Sequence, residues 1–460
     1  MTPLMLPPEI FKAYDIRGIV DRTLTEDACR AIGRALGTLA LRKGAKRVVV
    51  GRDGRLSGPR LAAALSEGLM AAGADVIDIG MVATPLVYFA AHELGTASGV
   101  MVTGSHNPPD YNGLKMMIAG DTLSGEAIAR LRTRIEADDF ASGSGGITHA
   151  EVTQAYFERI AADVKLARPM RIALDCGNGV PGAFAPALYR RLGCRVRELY
   201  CEVDGSFPNH HPDPSQPENL ADLISALRAG DDELGLAFDG DGDRLGVVSR
   251  SGRIIYPDRQ LMLFAADVLS RNPGARVIFD VKSTRNLFPW IRAHGGEPLL
   301  WKTGHSLIKA KMKESGALLA GEMSGHVFFK ERWFGFDDAL YAGARLLEVL
   351  SREADIEGAF ARLPDSINTP ELQIELREGE NHALMQRLGE SARFEGAREV
   401  ITIDGLRVEY ADGFGLARAS NTTPVIVLRF EADDAAALAR IQAQFRSVLR
   451  AAAPHAVLPF

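Results

Sequence analysis

The chain has 460 residues, 46% of them hydrophobic and 24% charged, with a formal net charge of -6. Such a length exceeds what one growing core supports, so roughly three or four domains are expected, each large enough to bury a core of its own. The composition excludes extended disorder, and Lys and Arg spread without a basic block exclude nucleic acid or an anionic membrane as the main partner, leaving only a local cationic pocket open.

In chain order, the opening MTPLMLPPEIFKAYDIRG has neither the basic start nor the uninterrupted apolar run of a signal peptide. No later stretch is long and uncharged enough to span a bilayer, so a cytoplasmic location is expected. Cys29, Cys176, Cys194 and Cys201 form no CxxC pair and no zinc spacing, and are too few for a disulfide scaffold; reduced thiols are expected.

A strand, a polar turn and a helix then recur. KRVVVGRDGRLSG (Lys46 to Gly58), MRIALDCGNGVPG (Met170 to Gly182) and ARVIFDVKSTRNLF (Ala275 to Phe288) each carry this pattern. Each helix leads to a glycine and a second strand, at GADVIDIG from Gly73, GCRVRELY from Gly193 and GGEPLLWK from Gly295. Third strands end in the loops of GVMVTGSHNP from Gly99, ELGLAFDGDGDR from Glu233 and ALLAGEMSGH from Ala317. The alternation predicts three similar α/β domains with mainly parallel mixed sheets, in which ligands gather beyond the carboxyl ends of the strands. All three loops sit at that end and are expected to face one central cleft. From Thr369 the order changes to that of a smaller α+β domain, whose turn ARASNTTP joins two strands. The expected domains are residues 1–150, 151–253, 254–366 and 367–460.

Four loops carry chemistry. In DGDGD, the carboxylates of Asp239, Asp241 and Asp243 alternate with glycines that permit a tight bend, a hard-oxygen set suited to Mg²⁺. An EF-hand is set aside, because its glycine and glutamate positions hold Arg244 and Arg250 here. TGSHNP reads either as a plain turn or as a site; facing a metal loop, the hydroxyl of Ser105 can carry a phosphoryl group, with Lys115 and Arg17 as cations. GEMSGH sets Glu322, Ser324 and His326 in a glycine-flanked loop that suits sugar hydroxyls, or else a capped structural turn. RASNTTP gathers a guanidinium, hydroxyls and an amide, donors for a dianionic phosphate, although a hairpin turn would use several of the same residues. His305, His210 and His211 all admit ordinary loop roles and lack the cysteine partners of a zinc site.

Taken together and in order, KAYDIRG, TGSHNPPDYNG, DGDGDR, GEMSGH and RASNTTP closely resemble the α-D-phosphohexomutases over the whole length, and most of all their bacterial phosphomannomutase/phosphoglucomutase branch. The resemblance implies four domains around a cleft and an isomerase that moves phosphate between C1 and C6 of a hexose, mannose or glucose, through a phosphoserine and a hexose 1,6-bisphosphate that also serves as activator. By similarity Ser105 would be the phosphoserine and, with Asp239, Asp241 and Asp243, would bind Mg²⁺. Lys115 and His305 would be candidates for proton transfer with Arg17 assisting, and Tyr14, His106 and Arg244 would line the same region. Glu322 and Ser324 would hold the sugar O3 and O4, with Lys282 and His326 nearby, while Arg418, Ser420, Asn421 and Thr422 would grip the substrate phosphate. A phosphoglucosamine mutase, a serine-nucleophile sugar phosphatase and a silent sugar-phosphate-binding protein are the competing readings. The implied partners are phosphosugars, with no nucleic acid or membrane, and a monomer is expected.

Overall fold

The computed structural model describes residues 5–377, 379–421 and 423–460. The first sheet contains β1 (Ile16–Ile19), β2 (Arg47–Arg52), β3 (Asp75–Met81), β4 (Gly99–Val102), β5 (Tyr111–Ile118), β6 (Asp121–Thr122) and β7 (Ile147–His149). The second contains β8 (Arg171–Asp175), β9 (Arg195–Leu199), β10 (Leu234–Phe238) and β11 (Leu245–Ser249); the third contains β12 (Arg276–Asp280), β13 (Glu297–Trp301), β14 (Leu319–Gly321) and β15 (Val327–Phe329).

One plan underlies all three. A central strand, β2, β8 or β12, lies between two parallel neighbours, and the later of these reverses into an antiparallel strand, β5, β11 or β15. The three loops singled out in the sequence are these reversals. Each therefore leaves the carboxyl end of a parallel strand, where the expected cleft lies. The fourth sheet is antiparallel throughout, with β16 (Ile367–Asn368), β17 (Leu372–Glu375), β18 (Glu399–Ile401), β19 (Leu406–Glu409), β20 (Gly413–Ala419) and β21 (Val425–Ala432). The turn containing Ser420 and Asn421 joins β20 to β21, as the sequence predicts.

The first three sheets share a core. The helix Thr84–Glu93, TPLVYFAAHE, is apolar on most of its circumference and buried from Thr84 to Ala91, a pattern that needs neighbours on every side. It receives them from all three units: the ring of Phe89 lies 5.3 Å from that of Tyr156 and 6.1 Å from that of Trp333. Residues of β2, β8, β10, β12 and β15 belong to the same apolar cluster. The helix Ala339–Leu350, capped by the Asp338 carboxylate on the Tyr341 amide, closes it from the other side.

The fourth sheet has its own core and meets the third unit through a small apolar patch of Val281, Phe414 and Leu416. Most of that joint is polar. Arg407 donates to the carbonyls of Val281 and Ser283 at 2.7 Å each, Arg285 pairs with Asp433 at 2.7 Å, and Thr284 donates to Glu431 at 2.8 Å. Among the described residues no helix is long and apolar enough to cross a membrane.

Candidate active site

The serine loop is built around two residues of the preceding turn. The Asp53 carboxylate accepts from the Thr103 hydroxyl at 2.7 Å and the Gly104 amide at 3.2 Å. The guanidinium of Arg55 donates to four carbonyls, those of Ser105, Asn107, Pro108 and Tyr111, at 2.5–2.9 Å. Gly104 is required there, because a Cβ would lie 2.5 Å from that guanidinium. Held this way, Ser105 takes a left-handed backbone with φ of 50°, a conformation that non-glycine residues keep only where their surroundings enforce it. Its hydroxyl donates to Asp239 Oδ2 at 2.9 Å and lies 3.3 Å from Nδ1 of His106.

The acidic loop folds on its own first residue. Oδ1 of Asp239 accepts from the amides of Gly242, Asp243 and Arg244 at 3.0–3.1 Å, which turns the chain and gathers the three carboxylates. Oxygens of Asp239, Asp241 and Asp243 lie within 4.8 Å of one another, and all three side chains are fully buried. The two loops meet backbone to backbone, since a Cβ on Gly240 would come within 2.4 Å of the Ser105 carbonyl oxygen. Burial and the charges of Asp241 and Asp243 push the Asp239 carboxyl up. The Lys115 ammonium sits on the other two, 2.7 Å from Asp241 and in a shorter contact with Asp243. Burial opposes its charge, yet Asp241, Asp243 and Asp239 raise the Lys115 pKa, so it is a fixed cation.

These donors fit a divalent metal. Oδ1 of Asp241 is buried without a hydrogen-bond partner, and Oδ1 of Asp243 has only the His326 ring 3.3 Å away, so acceptor capacity is left over in the cluster of three acids.

The GEMSGH loop lies against the acidic loop. His326 Nε2 is 3.3 Å from Asp243, and its Nδ1 is 2.7 Å from the Ser324 hydroxyl. Glu322 accepts the Gly304 amide at 2.5 Å, and burial raises its carboxyl to about 6. The rings of His305 and His326 stack 5.7 Å apart. Burial and the charges of Lys309 and Lys115 hold His305 well below the ordinary imidazole range, so its ring is neutral. Burial, with Arg244, Arg17 and Lys115, does the same to His106.

Across the cleft, Arg418 is paired with Asp404 at 3.1 Å, and Asn421 donates to the Tyr14 hydroxyl. Tyr14 also donates to the Thr303 carbonyl at 2.7 Å, so one side chain of the first unit touches the third and fourth. Ser420 accepts from the Thr423 hydroxyl at 3.0 Å. Arg17 donates to Asn107 at 2.5 Å beside the serine loop, and Lys282 reaches Glu371 at 2.6 Å. Thr422 lies outside the described residues. A cavity of about 390 Å³ is lined by Tyr14, Arg17, His106, Lys115, Arg244, Lys282, His305, Glu322, Ser324, His326, Arg418, Ser420 and Asn421. Ser105 and the aspartates connect to it through His106, beside the serine, and Lys115, on Asp241 and Asp243.

Four successive segments match four domain families: phosphoglucomutase/phosphomannomutase alpha/beta/alpha domain I at residues 8–142, domain II at 154–252, domain III at 256–365 and the C-terminal domain at 371–448. The chain belongs to the phosphoglucomutase/phosphomannomutase family. It is 63% identical to a phosphoglucomutase of Neisseria gonorrhoeae, covering 98% of each chain. It is 57% identical to a phosphomannomutase/phosphoglucomutase of Pseudomonas aeruginosa, covering 99% of this chain and 98% of that one. The crystal structure of a phosphoglucomutase/phosphomannomutase family protein from Burkholderia thailandensis superposes with a TM-score of 0.95 at 59% identity, over 99% of this chain and all of that one.

Within this phosphohexomutase, sequence reasoning passed over five residues that shape the site. Asp53 and Arg55 stood in view in the first repeat but read as a polar turn, and their alternation of acid and base beside a glycine was the available signal. Thr84 donates to Asp241 at 2.5 Å, Asp404 holds Arg418, and Glu371 holds Lys282. None of these three has a local pattern to mark it.

Proposed function

We propose that this isomerase interconverts hexose 1-phosphate and hexose 6-phosphate, with mannose and glucose as the sugars, by way of a phosphorylated Ser105 and a hexose 1,6-bisphosphate. The observation that carries the reading is the Ser105 hydroxyl, 2.9 Å from Asp239 and 3.3 Å from His106, which lines the same cavity as Arg418, Ser420 and Asn421. A phosphate held by Arg418, Ser420 and Asn421 would leave the free hydroxyl of the sugar to face the serine.

In the first transfer the bond from Ser105 Oγ to phosphorus breaks and one from phosphorus to the sugar hydroxyl forms. The hydroxyl proton passes by way of His305, which lines the cavity, and ends on the departing Ser105 oxygen, while Lys115 and Arg17 remain cations beside the moving charge. Asp239, Asp241 and Asp243 would hold Mg²⁺ with an oxygen of phospho-Ser105, and the cation offsets charge on the phosphoryl group. The bisphosphate then turns end for end, and its other phosphate returns to Ser105. Glu322 and Ser324 take O3 and O4, which point alike in glucose and mannose, with Lys282 and His326 beside them. Tyr14, His106 and Arg244 line the transfer end. Arg418 exchanges part of its pairing with Asp404 for the substrate phosphate, helped by Ser420, Asn421 and Thr422, and the fourth domain closes to exclude water.

The domains divide near residues 150, 253 and 366, a reading supported by the gaps between the matched segments. We propose a cytoplasmic monomer. The test is a coupled assay on glucose 1-phosphate and mannose 1-phosphate with a trace of the 1,6-bisphosphate. Formation of the 6-phosphates, with a phosphate adduct in the intact mass that Ser105→Ala abolishes, is expected. Release of inorganic phosphate without the 6-phosphate would overturn it in favour of a phosphatase.

A further inference from the structure

All four thiols are free, but two of them are neighbours. Cys176 follows β8 directly and Cys201 stands just beyond the parallel β9. The strands stay paired past their ends, through the Cys176 amide on the Leu199 carbonyl at 3.2 Å and the Asn178 amide on the Tyr200 carbonyl at 2.8 Å. This brings the two Sγ atoms to 3.5 Å, with Cys176 buried and Cys201 partly exposed. A disulfide needs a separation of about 2.05 Å, so closure requires an approach of about 1.5 Å.

The segments that would move hold the acidic loop from two sides. Beyond Cys176, the Val180 amide donates to the Gly240 carbonyl at 3.1 Å, and Gly179 packs so closely that a Cβ there would meet Gly240 Cα at 2.9 Å. Beyond Cys201, the chain runs to Pro212, whose carbonyl accepts the Gly240 amide at 3.1 Å. Gly240 lies between Asp239 and Asp241. Its packing leaves no slack, so a shift of either segment reaches the carboxylates.

We propose that Cys176 and Cys201 are a modification site, closed to a reversible disulfide by hydroperoxides, and that closure weakens metal binding at Asp239, Asp241 and Asp243. Cys201, the accessible thiol, attacks the O–O bond of hydrogen peroxide and becomes a sulfenic acid as water leaves. The Cys176 sulfur then attacks the Cys201 sulfur, the S–S bond forms, the S–OH bond breaks, and the hydroxide takes the Cys176 proton as a second water. Two electrons pass from the sulfurs to the peroxide. The metal part of this proposal rests on the mutase reading; the disulfide itself does not.

The test treats the full chain with hydrogen peroxide, alkylates the remaining thiols after denaturation and measures intact and peptide masses. Expected are two alkylated thiols in place of four, a peptide linking Cys176 to Cys201, and return to four with dithiothreitol. Titration with Mg²⁺ should show roughly tenfold weaker binding in the oxidised form, with turnover falling in step and recovering on reduction. Cys201→Ser and Cys176→Ala should keep basal turnover and lose its peroxide response. Four alkylated thiols after treatment, or Cys201 carried to a sulfinic acid while Cys176 stays free, would overturn the site. A disulfide that leaves Mg²⁺ affinity unchanged would overturn the switch. A chain without mutase turnover before oxidation would fail the functional reading alone, and the mass measurement would still decide the disulfide.

Discussion

The joint among the first three sheets and the joint to the fourth are made of different materials. The first is an apolar interior in which the rings of Phe89, Tyr156 and Trp333, from three units, pack with centroids within 6.1 Å of one another, Tyr156 edge-on to the other two. The second is a set of charged and polar pairs, Arg407 on backbone carbonyls, Arg285 on Asp433, Arg429 on Asp258 and Lys282 on Glu371. Close-packed side chains resist sliding, because any displacement opens voids on every side. Exposed pairs such as Arg285 with Asp433 exchange partners with water at small net cost, whereas the buried ones, Arg407 on its carbonyls and Arg429 on Asp258, open only when a new partner replaces the old. The serine, the acids and the GEMSGH loop sit on the part with the shared apolar core; the turn holding Arg418, Ser420 and Asn421 sits on the sheet joined mostly by polar pairs.

The strongest way to break this comparison is Phe89→Ala. It should cost about 3–5 kcal/mol and lower the calorimetric transition of the first three sheets, leaving that of the fourth in place. If both transitions fell together, the division would be wrong. Arg407→Ala should do the reverse, lowering only the transition of the fourth sheet by about 2–3 kcal/mol, because the Val281 and Ser283 carbonyls lose their donor.

A third prediction uses pH. Asp338, buried under the Tyr156 hydroxyl, has its carboxyl raised by burial to about 7 from 3.8. The folded chain therefore keeps a proton that the unfolded chain has released, and this contribution is fully present below about pH 4 and lost as pH rises toward 7. Asp338→Asn keeps the helix cap without that loss, so its advantage in melting temperature should grow between pH 5 and pH 8, on the order of 2 kcal/mol at the upper end. An advantage independent of pH would contradict the assignment. The smallest effect is expected from Glu371→Gln, which frees Lys282 at the replaceable joint. Stability should change by less than about 1 kcal/mol, while KM for a phosphosugar falls about two- to threefold, a change of under 1 kcal/mol in binding.

The repeated strand, turn and helix were legible because they are local: β-branched runs, polar turns and glycines lie close together along the chain. The DGDGD loop was equally legible, since three acids in five residues have few other uses. Arg55 was harder to read: its alternation with Asp53 beside a glycine marks the turn, but the carbonyls it holds begin 50 positions away at Ser105. Asp404 looks like any aspartate in a turn before glycine. Its value comes from Arg418, 14 residues on and across a hairpin. The neighbouring sulfurs of Cys176 and Cys201 were hidden by the same logic, since 25 residues and a helix separate them in the chain.

The shared apolar interior also has a consequence during synthesis. Its first wall, the helix Thr84–Glu93, leaves the ribosome long before its last, the helix Ala339–Leu350. At about 5–20 residues per second the interval is on the order of tens of seconds. Throughout it the nascent chain presents Leu86, Tyr88 and Phe89 with no finished surface to receive them. Such a polypeptide should depend on holding factors until about three-quarters of it has been translated, whereas the last sheet can complete its own core within a single short stretch of translation.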